Sequence, residues 1–135
     1  MAILGVGIDL VRIERLANFL ARHGERGKAR LFSAGEQAYC EARKTSAQSY
    51  AGRFAVKEAV MKVLGTGWAR GVRWVDIEVV RPPGQPPTVA LHGATARIAA
   101  ARGIAVIHIA ITHDAGISAA VAVAESGLTA ERLAR

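Results

Sequence analysis

Residues Ile3 to Leu10 alternate without a break. Leu4, Val6, Ile8 and Leu10 fall on one side; Ile3, Gly5, Gly7 and Asp9 fall on the other. A period of two predicts a β-strand with one bulky face and one nearly bare face, which Asp9 closes. The period then lengthens. Ile13, Leu16, Ala17 and Leu20 recur as one helical face, predicting a helix from about Val11 to about His23 that Gly24 can end. Ser33 with Glu36 three residues later predicts a capped second helix, carrying Tyr39 and Cys40 and fading near Lys44. Thr45 to Ser49 reads as a polar linker. Val56, Ala59, Val60 and Val63 then stripe a third helix from Tyr50 to Leu64, stopped by Gly65-Thr66-Gly67.

Alternation resumes from Trp74 to Val80, with Val75, Ile77 and Val79 on one face. The run Pro82 to Pro87 is a turn, and Val89 to Leu91 a short return strand. Ala94 to Arg102 reads as an Ala-rich helix closed by Gly103. Val106 to Thr112 and Ile117 to Val123 are apolar strands joined around Asp114-Ala115-Gly116. The expected organisation is one domain over residues 1–125 and a polar tail over 126–135. Strand, three helices, hairpin, helix and second hairpin predict a single-domain α+β fold with mostly antiparallel strands. No Gly-rich loop joins a strand to a helix N-terminus, so no dinucleotide fingerprint is present.

Composition narrows the function. The chain has 135 residues, 51% hydrophobic but only 5% aromatic, and a formal net charge of +7. The core is therefore mainly aliphatic, and little aromatic surface is left to stack nucleobases. The charge favours an anionic partner: nucleic acid, a phosphorylated ligand, an acidic protein or anionic lipid. A single cysteine, Cys40, excludes an internal disulfide and a multi-cysteine metal site and fits a reducing cytoplasm. Met1 to Leu10 does not read as a signal peptide, and no apolar stretch approaches the ~20 residues of a membrane span.

Several residues carry two readings each. Glu58 and Lys62, four apart on one helix, form a solvated ion pair or offer a carboxylate for a hard metal beside a phosphate-binding amine. Arg53 and Lys57 share an adjacent face. Gly65-Thr66-Gly67 follows a helix, so it cannot be a helix N-terminal phosphate cradle; it is a C-cap, or a place where Lys62 and free backbone N–H groups bind an anion. Asp9 caps the next helix or ligates a metal in the space its bare strand face leaves. His113 and Asp114 are ordinary turn residues or a pair that moves a proton. Arg15, Phe19 and Arg22, extended by Arg26, Lys28 and Arg30, form a solvated basic face or a dock for an acidic helix.

Taken in order, these segments resemble the holo-acyl-carrier-protein synthase family of phosphopantetheinyl transferases. Gly5-Val6-Gly7-Ile8-Asp9-Leu10 looks like its opening G-x-D motif. Gly52-Arg53-Phe54-Ala55-Val56-Lys57-Glu58-Ala59, on through Lys62 to Gly67, is similar to its central signature. Gly84-Gln85-Pro86 resembles its G-x-P turn, and Ile111-Thr112-His113-Asp114 its S/T-H segment. The resemblance implies transfer of the 4′-phosphopantetheine arm of coenzyme A to a serine of apo acyl carrier protein, with Mg²⁺ held by Asp9 and Glu58. It implies coenzyme A contacts from Arg53, Lys62, Gly65, Thr66, Pro86, Thr112 and His113, and carrier docking on Arg15, Phe19, Arg22 and Arg26. Asp114, His113 and a water near Glu58 stay open as the catalytic base. Homotrimers with sites at subunit interfaces are also implied. The readings in competition are a small basic nucleic-acid-binding protein and a non-catalytic protein-binding module; neither needs Asp9 or Glu58.

Overall fold

In a computed structural model, residues 1–67 and 69–127 are described. Strand β1 (Ile3–Arg12) leads into α1 (Ile13–Leu31), α2 (Ala34–Glu41) and α3 (Ser46–Leu64). A short hairpin, β2 (Ile77–Val80) and β3 (Thr88–Leu91), precedes α4 (Gly93–Ala101) and the long hairpin of β4 (Ile104–Asp114) and β5 (Ile117–Ser126). The long sheet has order β1-β5-β4, all antiparallel, and β2 with β3 forms a separate ribbon. This is the expected α+β architecture.

The long sheet is built with its small residues inward. Gly7 of β1 and Ala120, Ala122 and Ala124 of β5 face α3 and are buried. A Cβ on Gly7 would overlap the Ala59 carbonyl of α3, so only glycine lets strand and helix meet this closely. Along Gly5 and Gly7 the bare strand face therefore holds a helix and leaves no space for a ligand, contrary to the expectation; a cavity opens only at its Asp9 end. The bulky face is the exposed one: Leu4, Val6, Ile8 and Leu10 are 36%, 62%, 63% and 67% exposed. Beside them on β5 lie Ala119, Val121 and Val123, through the pairs Leu10↔Ala119, Ile8↔Val121 and Val6↔Val123.

Helix α3 is central and is wrapped on almost every side. Arg53 and Lys57, expected on a solvated face, are both buried. Lys57 Nζ donates to Glu36 Oε1 at 2.8 Å, to Trp74 O at 2.9 Å and to Ile77 O. Glu36 also closes the expected capping box: Ser33 N donates to its Oε1 at 3.0 Å, and its own N–H donates to Ser33 Oγ at 3.2 Å. Its Oε2 accepts from Val79 N at 3.1 Å. One carboxylate thus caps α2, neutralises a buried lysine and anchors the ribbon.

Other boundaries shift for local reasons. Gly24 adopts φ 57° and ψ −143°, outside the helical range, so it interrupts the helix where expected, and a second helical stretch runs on from this kink to Leu31. The supposed linker joins α3, which begins at Ser46. Trp74 to Asp76 is a 3₁₀ turn and not strand; Asp76 N donates to Arg73 O at 3.0 Å and the Arg73–Asp76 ion pair closes at 3.1 Å. Residues 128–135 of the proposed tail lie outside the described residues.

Candidate active site

Strand alternation puts Asp9 on the α3 side of β1, and α3 presents Glu58 and Lys62 to it. Lys62 Nζ donates to Ile8 O at 2.7 Å and to Asp9 Oδ1 at 3.1 Å. The lysine expected to pair within its own helix instead ties α3 to β1. Glu58 has no ion-pair partner among the described residues. Burial holds its carboxyl above the ordinary carboxylate range, the Asp9 charge pushes it the same way, and Lys62 and Arg15 oppose both. Asp9 does not cap α1: the residue before that helix is Arg12, and no side chain caps it.

Asp9 and Glu58 share the wall of a cavity of about 520 Å³. Its floor is apolar, from Leu16, Leu31 and a stacked Phe54–Trp74 pair with centroids 5.1 Å apart. Two carboxylates opposed by one lysine suit a hard divalent cation that takes its remaining oxygens from water and phosphate. Among the described residues no group of three or more His, Cys, Asp and Glu side chains is gathered.

A second cavity, about 540 Å³, holds Arg53, Pro86 and His113, with Arg43 and Arg81 at its exposed side. It shares no lining residue with the first. His113 packs on α3 where Gly52 leaves room; a Cβ there would come 3.0 Å from its Cε1. Its Nδ1 lies 2.6 Å from Ser118 Oγ, and Ser118 Oγ donates to Gln48 O at 3.4 Å. That network assigns the proton to Nδ1 and leaves Nε2 an acceptor. Burial lowers the His113 pKa below its ordinary value, so the ring is neutral at pH 7.

Asp114 does not join His113. Adjacent strand positions face opposite sides of a sheet, and the partner of the imidazole is Ser118. Thr112 and Asp114 lie on the side of the exposed apolar face, paired with Ala119 and Ile117. Gly65 takes φ 72° as the C-cap of α3, its N–H donating to Met61 O at 2.9 Å, and the Thr66 hydroxyl donates to Gly67 O at 2.9 Å. Pro86 follows the turn in which Gln85 N donates to Pro82 O at 3.0 Å.

On α1, Arg15, Phe19 and Arg22 line one groove with Arg12, and beyond the kink Arg26 and Arg30 continue it. Phe19 packs at a tilt against His23, with ring centroids 4.5 Å apart. Phe19 and Arg15 also border the carboxylate cavity, so the basic face runs directly into it.

The family model for the 4′-phosphopantetheinyl transferase superfamily matches residues 5–122. The chain belongs to that superfamily. It is 41% identical over 92% of its length to the holo-[acyl-carrier-protein] synthase of Solibacter usitatus, covering 99% of that protein. It is 46% identical to the synthase of Mesorhizobium japonicum, over 92% of this chain and 93% of that one. The solved structure of the Helicobacter pylori synthase in complex with coenzyme A superposes with a TM-score of 0.78 at 30% identity, covering 89% of this chain and 99% of that chain.

Sequence reasoning within the family's motifs missed Tyr39, Arg43 and Arg81 in the second cavity, and Phe54, Trp74 and Leu31 in the first. None has a spacing signal, since each reaches its cavity from a different element. Arg81, next to the proline turn, was the most findable.

Proposed function

We propose that this protein transfers the 4′-phosphopantetheine arm of coenzyme A onto a serine of apo acyl carrier protein and releases 3′,5′-ADP. The observation that carries the reading is the Asp9–Glu58 pair, walled into one cavity with the basic α1 face at its rim. Mg²⁺ bound by these carboxylates would neutralise the pyrophosphate and polarise it toward attack. Lys62 adds positive charge next to Asp9. The serine oxygen forms the new bond to the pantetheine-bearing phosphorus, the anhydride bond to the nucleotide breaks, and the hydroxyl proton passes to a base. His113 lines the nucleotide cavity and Asp114 faces the opposite side of the sheet, so of the three candidates a water near Glu58 is the base that lies beside the pyrophosphate site. Arg15, Phe19, Arg22 and Arg26 receive the acidic carrier and steer its approach. Arg53, Pro86 and His113 hold the nucleotide; Gly65 and Thr66, at the C-terminal end of α3, and Thr112, on the opposite face of β4, stand outside that cavity.

A closed ring of three copies completes the site. The carboxylate half lies at the β1 edge of the long sheet and the arginine half at the β4 edge, in cavities that share no residue. A head-to-tail ring joins the first edge of one copy to the second edge of the next, and it covers the apolar face of Leu4, Val6, Ile8 and Leu10. A reducing cytoplasm is the compartment we assign. Burial pushes the Cys40 thiol up to about 11, so it takes no part in the chemistry.

The test mixes the protein with apo carrier protein, coenzyme A and Mg²⁺ and reads the carrier by mass spectrometry. The expected result is the mass of one phosphopantetheine, lost on chelation and in Asp9→Ala or Glu58→Ala. A carrier of unchanged mass under all conditions would sink the reading.

A further inference from the structure

Arg53 is a buried cation without a carboxylate. It is 5% exposed, and its shielded Nε has no hydrogen-bond partner. Among the described residues no acidic side chain forms an ion pair with Arg53, Arg43 or Arg81. What faces the Arg53 guanidinium is the ring of Tyr39, whose centroid lies 3.8 Å from Cζ. The Arg43 guanidinium lies over the same ring at 4.1 Å. The ring sits on α2, Arg43 just beyond the end of that helix, and Arg53 on α3, so one aromatic side chain ties together two elements and two cations. All three line the second cavity with Arg81 and His113.

Holding a guanidinium with a ring differs from holding it with a carboxylate. A carboxylate neutralises the charge and occupies the N–H donors. The face of a ring attracts the cation through its quadrupole and fixes the guanidinium plane, yet leaves the donors free. A desolvated cation with unspent donors is incomplete until an anion arrives. Coenzyme A carries a pyrophosphate and a separate phosphate on its ribose. The pyrophosphate belongs with Asp9 and Glu58, where a cation can bridge it. A cavity with arginines and no lining carboxylate fits the ribose phosphate.

We infer that Tyr39 is a positioning residue that aligns Arg53 and Arg43 as a clamp for the ribose phosphate of coenzyme A. The inference rests on the transferase reading above. It assigns Tyr39 no contact with the reacting atoms, so it separates substrate binding from turnover.

The experiment compares coenzyme A with dephospho-coenzyme A, which lacks only that phosphate, by titration calorimetry and steady-state kinetics. Tyr39→Phe keeps the ring and is expected to bind coenzyme A within about twofold of the original protein. Tyr39→Leu is expected to raise Kd and KM for coenzyme A about 5- to 30-fold, with kcat little changed and dephospho-coenzyme A unaffected. Phenylalanines bearing one, two or three ring fluorines at position 39 keep the size of the side chain and drain charge from its face. Affinity for coenzyme A should fall stepwise along that series. A flat fluorine series, or an equal loss for both coenzymes, would overturn the role of Tyr39. An unsubstituted protein that binds neither coenzyme would overturn the transferase reading and this one together.

Discussion

Replacing Glu58 by glutamine should move stability and activity in opposite directions. Glu58 is half-buried, lacks an ion-pair partner among the described residues, and has its carboxyl pKa raised first by burial and then by Asp9. The native state therefore holds that proton more tightly than the unfolded chain does. The contribution favours folding below the ordinary carboxylate value of 4.5 and is lost as pH rises toward the raised native value. At neutral pH the ionised carboxylate is a cost to the fold. Glutamine keeps the shape and removes the charge. Water still screens a half-buried group, so the metal-free gain is limited to about 1 kcal/mol or less, some 2–4 °C in Tm for a domain of this size. Activity should fall about 10²- to 10³-fold, as when one preorganised electrostatic contact to a transition state is removed. The assay is thermal unfolding of both proteins in chelator across pH 4 to 8, beside mass-spectrometric turnover with Mg²⁺. The two melting curves should converge at the acid end and separate toward neutrality. A Glu58→Gln protein that melts lower than the original at pH 7 without metal, or turns over at the original rate, would refute the reasoning.

Lys57→Ala leaves Glu36 charged and buried, takes a donor from the Trp74 and Ile77 carbonyls, and should cost about 3–5 kcal/mol in denaturant unfolding; an unchanged midpoint would show that the pair is not the anchor described. Ile8→Glu places a charge on the 63% exposed apolar face and should yield monomers by light scattering, with turnover lost although the fold survives by circular dichroism. Mixing inactive Asp9→Asn with Arg53→Ala, at coenzyme A too dilute for the latter to turn over alone, should restore part of the activity, because a ring pairs an intact carboxylate edge with an intact arginine edge; no recovery after subunit exchange would place both halves in one chain. Arg22→Glu should raise KM for the carrier about tenfold or more and leave the Kd for coenzyme A unchanged.

Periodicity in the chain was enough to place the long elements, because one strand face and one helix stripe are local properties. Alternation located β1, β4 and β5, and the Ser33–Glu36 spacing located α2 with its capping box intact. The motif residues Asp9, Arg53, Glu58, Lys62, Pro86 and His113 were legible as a set in chain order. Their partners were not. Lys62 bonds to a strand more than fifty residues away and not to Glu58 one turn before it. Arg53 and Lys57 look like a solvated face until α2, the ribbon and the sheet close over them. The strand pattern of β1 gave two faces but not which was inside; packing decided that. Glycine and alanine let α3 approach the sheet closely, and the large side chains were left outward on a face that only another surface can bury. The sequence by itself determined which groups are available and on which side of each element they lie. Tertiary structure alone decided which of them meet, because a contact between distant segments depends on how closely backbones approach, and that is set by the side chains in between.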